Sequence, residues 1–277
     1  CYFVGVSDSP TGFLPRSYLV WGCFADCGII NVHRIVVYSE AASVEGLMME
    51  SILTVKDLTV RINNNPLINN VSFSIGEGEA VLLSGENGIG KSTLLKALLG
   101  LESAGKRISG NIIVRGIGDI LTLKPEELQR YRASVAYVPQ RDDYSTMGNV
   151  RVRDIISDSR MAFSGETMND AEVNSLIDEW IPRRADRSQV FDAKTKPSKF
   201  SGGEQRLLSV LSIISTRSKA KLLIIDEPLN NLDFINARNI SNVINRAMKE
   251  NPRMGLLMIS HCRIFPFITR EIKLTPE

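Results

Sequence analysis

The stretch AVLLSGENGIGKSTLLKALLG, residues 80–100, decides the fold. AVLLS, 80–84, is a short apolar run of the kind that forms a buried strand. GENGIGKST, 85–93, follows, and then a helix with Leu94, Leu95, Leu98 and Leu99 on its apolar side, which Gly100 is placed to stop. Strand, glycine loop and helix are the context that a phosphate-binding P-loop requires. Gly85, Gly88 and Gly90 let the backbone curl so that successive N–H groups point at phosphate oxygens, and the helix start adds partial positive charge. Lys91 can extend to the β- and γ-phosphates, Ser92 presents a hydroxyl to Mg²⁺, and Thr93 contacts phosphate nearer the nucleoside. With Glu86, Asn87 and Ile89 these residues form the expected nucleotide-binding set. The plain alternative, a glycine-rich turn before a helix, does not account for the fixed spacing.

A second stretch, KLLIIDEPLNN, 221–231, answers the first. Leu222 to Ile225 read as a core strand, and Asp226 and Glu227 stand at its carboxyl end before Pro228. Parallel strands meet their ligands at that end. A Mg²⁺ bridging β- and γ-phosphates needs a carboxylate, and Asp226 is placed to supply it. Glu227 is the spare acid, free to orient or deprotonate an attacking water. An acidic helix start after the strand is the simpler reading, and the P-loop argues against it.

Composition excludes several classes. The 277 residues carry a formal net charge of only +2, too little to indicate nucleic acid. RRADR, 183–187, reads as a solvated face. Three of the four Cys precede residue 30 without the spacing of a metal site, so neither zinc nor a disulfide framework is expected and a reducing compartment fits. The longest apolar run, YLVWGCFADCGII at 18–30, is interrupted by Asp26 and falls short of the ~20 residues of a membrane helix. No basic n-region marks a signal peptide, so a cytoplasmic protein is expected.

Residues 1–47 stand apart from the organised part, 48–277. They show no lasting period before RIVVY, 34–38, and read as a small additional module or as upstream DNA translated into a fragmentary gene model; the second is preferred, and the missing initiator Met fits it. ILTVKDLTVRI, 52–62, alternates as an antiparallel edge strand would, NNNP is a turn, and LINNVSFSI is a second strand. ISGNIIVRGIGDI, 108–120, reads as a hairpin, and SVAYVPQ, 134–140, as a strand ending at Pro139 and Gln140. Residues 150–190 read as helices, with Asn169 or Asp170 as a cap and Val173, Leu176, Ile177 and Trp180 as a core stripe. They suggest a helical subdomain, about 141–200, inserted in an α/β core. In KFSGGEQRLLSVLSII, Ser201, Gly202 and Gly203 open another helix, and His261 ends the apolar strand RMGLLMIS, 253–260.

These motifs together resemble the ATP-binding cassette (ABC) ATPases, over roughly residues 50–270. GENGIGKST looks like their P-loop, Gln140 like the Q-loop glutamine, FSGGEQ like the signature, LLIIDEP like the Walker B strand, NNLD (230–233) like the D-loop, and His261 like the switch histidine. The resemblance implies a P-loop NTPase core of the ABC type, α/β, with an antiparallel β subdomain and an inserted helical subdomain. It implies Mg-dependent ATP hydrolysis with Glu227, His261 and Gln140 as the catalytic set, and Ser92, Gln140 and Asp226 around the metal. It further implies a homodimer or heterodimer of ABC ATPase subunits, in which Ser201, Gly202, Gly203 and Glu204 of one chain face the nucleotide of the other, with Asn231 and Asp233 in the D-loop between.

Several positions depart from the family pattern. Ile62 stands where an adenine-stacking aromatic is usual, Phe200 replaces Leu, and Leu229, Asn230 and Asn231 replace Thr-Ser-Ala. One polar residue before Gln-Arg is missing, so no role is carried onto Arg206. The expected function is that of the cytosolic ATPase subunit of an ABC transporter, peripheral at the membrane through a separate transmembrane permease, with no direct nucleic acid contact. The alternative is a non-transport ABC ATPase acting in regulation, DNA repair or translation. The repair type would need a long coiled coil between Gln140 and Ser201, and no sustained heptads occur there.

Overall fold

The structure is a computed structural model that describes residues 36–37, 51–62, 65–101, 105–140, 144, 146–230, 232–260 and 265–275. In chain order its elements are β1 (Val36–Val37), β2 (Ser51–Ile62), β3 (Asn65–Gly76), β4 (Ala80–Gly85), α1 (Lys91–Leu98), β5 (Lys106–Val114), β6 (Gly118–Asp119), α2 (Pro125–Ser134) and β7 (Val135–Val138). Then come α3 (Val152–Ser164), α4 (Asp170–Trp180), α5 (Gly202–Thr216), β8 (Leu222–Asp226), α6 (Phe234–Glu250), β9 (Gly255–Ile259) and β10 (Arg270–Thr275).

One sheet has the order β1-β10-β4-β9-β8-β7, and a second has the order β3-β2-β5-β6. From β10 to β7 the first sheet is parallel, while β1 lies antiparallel on β10. β8 and β9 are buried at every residue, because both faces are covered. Leu222 and Ile224 join a core with Val55, Val71, Leu94 and Leu98, on the side of the antiparallel sheet and α1. Leu223 and Ile225 join the opposite core with Leu207, Leu211, Val243 and Ile244 of α5 and α6. A two-residue period is therefore hidden inside a continuous apolar run.

Register sets the position of the site. Leu83 pairs with Ile259, Ile259 with Asp226, and Ile225 with Val138, so β4, β9, β8 and β7 end level with one another. Gly85, Asp226 and the Pro139–Gln140 segment leave the sheet along a single edge, the carboxyl edge where α/β proteins bind ligands.

The helical insertion lies between β7 and α5. Val152, Ile156, Val173, Leu176, Ile177 and Trp180 pack into the same core as α5. Asn169 is the cap of α4, accepting from Ala171 N at 2.9 Å and Glu172 N at 3.0 Å, while Glu172 Oε2 accepts from Asn169 N at 2.8 Å. β5 and β6 form the expected hairpin. Gly100, at φ +61, ends α1: its N–H reaches Ala97 O at 2.9 Å, and Leu101 N reaches Lys96 O at 2.8 Å.

Two expectations need correction. β2 is no edge strand, since it pairs with β3 on one side and β5 on the other. Its loose alternation arises because the second sheet packs one face on α1 and leaves the other partly open. Residues 181–190 are not helical either. Pro182 follows the end of α4, and Arg187 at φ +66 closes a turn in which its N–H meets Arg184 O at 2.9 Å. Arg183, Arg184 and Arg187 are exposed there, as a solvated face requires.

Candidate functional site

The P-loop joins β4 to α1. Gly85, at φ +151, has no room for a side chain, because a Cβ would come within 2.8 Å of Leu274 O. Gly90, at φ +109, occupies the cap position of α1, which has no side-chain cap, so nothing on the residue before the helix covers the first-turn amides. Ile89 tucks into the core and anchors the loop between them. Lys91 is 6% exposed, and its Nζ donates to Gly85 O at 2.8 Å and Glu86 O at 2.9 Å. Burial lowers its pKa, opposed by the nearby charges of Glu227 and Asp226. Ser92 is exposed and Thr93 half-buried on the first turn.

Asp226, 5% exposed, ends β8. Burial and the adjacent Glu227 raise its pKa, while Arg206, Lys91 and Lys96 oppose the shift. Its Oδ1 is buried without a hydrogen-bond partner among the described residues. Such an oxygen is costly unless a cation completes it. Among the described residues no three His, Cys, Asp or Glu side chains gather as a metal cage. One carboxylate at a phosphate-binding edge suits Mg²⁺, which keeps water and phosphate oxygens as its remaining ligands.

Glu227 comes next, with φ +45, a left-handed conformation uncommon for a residue with a side chain. Its N–H is fixed to Ile259 O at 2.9 Å. Its carboxylate Oε2 accepts from Gln140 Nε2 at 2.8 Å and from Asn230 Nδ2 at 2.9 Å. The fold thus brings Gln140, Lys91, Asp226 and Glu227 together and adds Asn230.

Ser201 to Glu204 start α5. Ser201 Oγ accepts from Glu204 N at 3.3 Å, and Glu204 Oε2 accepts from Ser201 N at 3.0 Å, a reciprocal cap. Glu204 is also paired with Arg184 at 2.9 Å. Asp233 caps α6 through Ile235 N at 2.9 Å and Asn236 N at 3.0 Å. A Cβ on Gly203 would come within 2.5 Å of Asn236 Nδ2, so the glycine lets α6 press against α5. His261 and Asn231 lie outside the described residues.

The sequence reading missed two residues, Asn230 and Arg206. Asn230 stands where the family pattern has Ser, and its carboxamide donates to Glu227. Arg206 is buried, with its guanidinium on the main-chain carbonyls of Pro139, Asp226 and Pro228. A lone Arg beside Leu207 and Leu208 in a helix offers no local cue to those partners.

The family model described as "ABC transporter" matches residues 68–230, spanning the P-loop, Gln140, the signature and the Asp226–Glu227 pair. The chain belongs to the ABC transporter family. It is an ATPase of that family. An ABC transporter ATP-binding protein of Haemophilus influenzae, itself uncharacterised, is 30% identical over 210 residues, covering 76% of this chain and 74% of the relative. The dipeptide transport ATP-binding protein DppF of Lactococcus lactis is 30% identical over 220 residues, covering 76% and 67%. The solved ATP-binding subunit of an ABC transporter superposes with a TM-score of 0.58 at 25% identity, over 76% of this chain and 80% of that one. The cbiO1 structure of Clostridium perfringens, at 18% identity, shares the fold with a TM-score of 0.60 over 82% and 87%.

Proposed function

We propose that this ABC ATPase works as the cytoplasmic nucleotide-hydrolysing subunit of a transporter, with Glu227 as the base that prepares water for attack on the γ-phosphate. The observation carrying this reading is the arrangement of Glu227, held by Gln140 and Asn230 beside Lys91, next to the unsatisfied Oδ1 of Asp226. Residues 85–93 would cradle the phosphates, with Lys91 moving from the loop carbonyls to the β- and γ-oxygens. Ser92, Gln140 and Asp226 would hold Mg²⁺, which when bound neutralises charge developing on the transferred group. Glu227 orients the water and takes its proton. His261 is proposed to steady the γ-phosphate.

Two features support a paired arrangement. Ser201 and Gly202 are exposed at the start of α5, and Phe234 and Ile235, directly after Asp233, are 80% and 70% exposed. We infer that a second ATPase chain covers this end, with nucleotide between each P-loop and the opposite Ser201–Glu204. We infer that a separate permease supplies the translocation path; among the described residues no helix is long and apolar enough to cross a membrane.

Glu227→Gln tests the chemistry. Hydrolysis should fall by about 10² or more, in line with general-base contributions, while ATP binding persists and an ATP-bound dimer accumulates in light scattering. Wild-type turnover in that variant would remove Glu227 from the mechanism. Copurification of a multi-span membrane protein supports the transporter role; recovery with a soluble partner instead would favour the regulatory alternative.

A further inference from the structure

Arg206, on the second turn of α5, is 8% exposed. Its Nη2–H donates to Asp226 O at 2.8 Å, its Nε–H to Pro228 O at 3.4 Å, and its Nη1–H to Pro139 O. These carbonyls stand at informative places. Pro139 O belongs to the peptide entering Gln140. Asp226 O belongs to the peptide entering Glu227 and Pro228 O to the peptide leaving Pro228, so together they bracket the Glu227–Pro228 pair just beyond β8. A guanidinium is a planar fork with donors in fixed directions, so three carbonyls bound to it cannot shift independently.

That grip explains how Glu227 keeps its conformation. A side-chain-bearing residue in the left-handed region is strained and persists only where its surroundings over-determine it. Glu227 N–H is tied to β9, and Arg206 holds the carbonyls on either side. The same fork also reaches Pro139 O, the carbonyl next to Gln140, whose Nε2 donates to Glu227 at 2.8 Å. α5 begins at Ser201–Gly202, so one helix carries both the Ser201–Gly203 segment and this clamp.

We propose that Arg206 is the positioning residue that holds Glu227 and Gln140 in register and ties their geometry to the Ser201–Gly203 helix start. The inference rests on Glu227 being the base. It goes beyond that reading by assigning catalytic geometry to a side chain outside both the P-loop and the Asp226–Glu227 pair. An isolated buried cation would only need neutral acceptors from any peptides; Arg206 takes the ones that frame the reacting groups.

The test uses the full chain, with steady-state Mg·ATP hydrolysis and calorimetric ATP binding for Arg206→Met, Arg206→Lys, Glu227→Gln and the Arg206→Met/Glu227→Gln double variant. Arg206→Met should lower kcat about tenfold or more, as small misplacements of reacting groups do, with KM and ATP affinity within about twofold of wild type. Arg206→Lys keeps a charge but not the fork and should give an intermediate kcat. In the double variant the Met change should cost less than about twofold beyond Glu227→Gln alone, because it acts through that residue. Wild-type kcat in Arg206→Met, a joint fall of kcat and ATP affinity, or full multiplication of the two losses would overturn the assignment. If Arg206→Met does not fold, Arg206→Lys decides: reduced kcat at unchanged KM supports the clamp, and wild-type kcat overturns it. An unchanged rate in Glu227→Gln would instead remove the base, and the clamp with it.

Discussion

Asp226 illustrates how one buried residue can cost the fold stability. Its Oδ1 is buried without a partner among the described residues, and burial together with Glu227 pushes its pKa up. A carboxylate with a raised folded-state pKa binds protons more tightly in the folded chain. The destabilisation is therefore absent below the ordinary Asp pKa and complete above the raised one. Asp226→Asn should consequently stabilise the protein in EDTA at neutral pH by about 1 kcal/mol, the low end of the cost of an unsatisfied buried group, and the gain should shrink on acidification. Hydrolysis should be lost. Denaturant melts of both proteins across pH check this, and a less stable Asn variant at neutral pH would contradict it. That Asp226 stands at the exit of a core strand, where a metal ligand would be needed, was legible from DEP after an apolar run. That Glu227 lies at φ +45, with Asn230 and Arg206 around it, was not, because those partners come from a turn and a distant helix.

At the scale of elements, the helix starts do the positioning. α1 begins without a capping side chain and so can meet an anion, whereas α4 and α6 are capped by Asn169 and Asp233. α5 has its own reciprocal cap and packs against α6 through Gly203. A Cβ at Gly203 would lie 2.5 Å from Asn236 Nδ2, 3.0 Å from its Cγ and 3.3 Å from its Cβ, so swinging the amide alone does not clear it. Gly203→Ala should therefore destabilise by about 1–2 kcal/mol, as overpacked sites do. Adding Asn236→Ala should recover most of the loss. Chemical denaturation measures both; if the second change deepens the loss, α5 and α6 do not meet as described.

At the scale of the molecule, the level ends of β4, β9, β8 and β7 make one edge from separated segments, and two cores back it from opposite faces. At the far margin of that sheet, Val36 pairs with Thr275 and Val37 with Leu274. This is the described part of residues 1–47. A protein beginning at Met48 would lose this two-residue strand and its bonds to β10. We expect it to bind ATP normally and to lose no more than about 1 kcal/mol, the scale of a backbone hydrogen bond or two. A loss of several kcal/mol in a denaturant melt would show that the segment is an integral part of the fold.

Local chemistry determined the strand–glycine–helix unit, the acidic strand exit, the cap at Ser201 and the apolar stripe of α4, because each depends on residues within a few positions of one another. The order of the motifs then sufficed to resemble a family. Only tertiary structure decided that β2 lies inside its sheet, since pairing depends on a partner, β5, beyond the P-loop helix. The same holds for the turn at 181–190 and for Arg206. A buried guanidinium's worth is set by carbonyls that the chain brings back from residues 139, 226 and 228, and no periodicity records where those return.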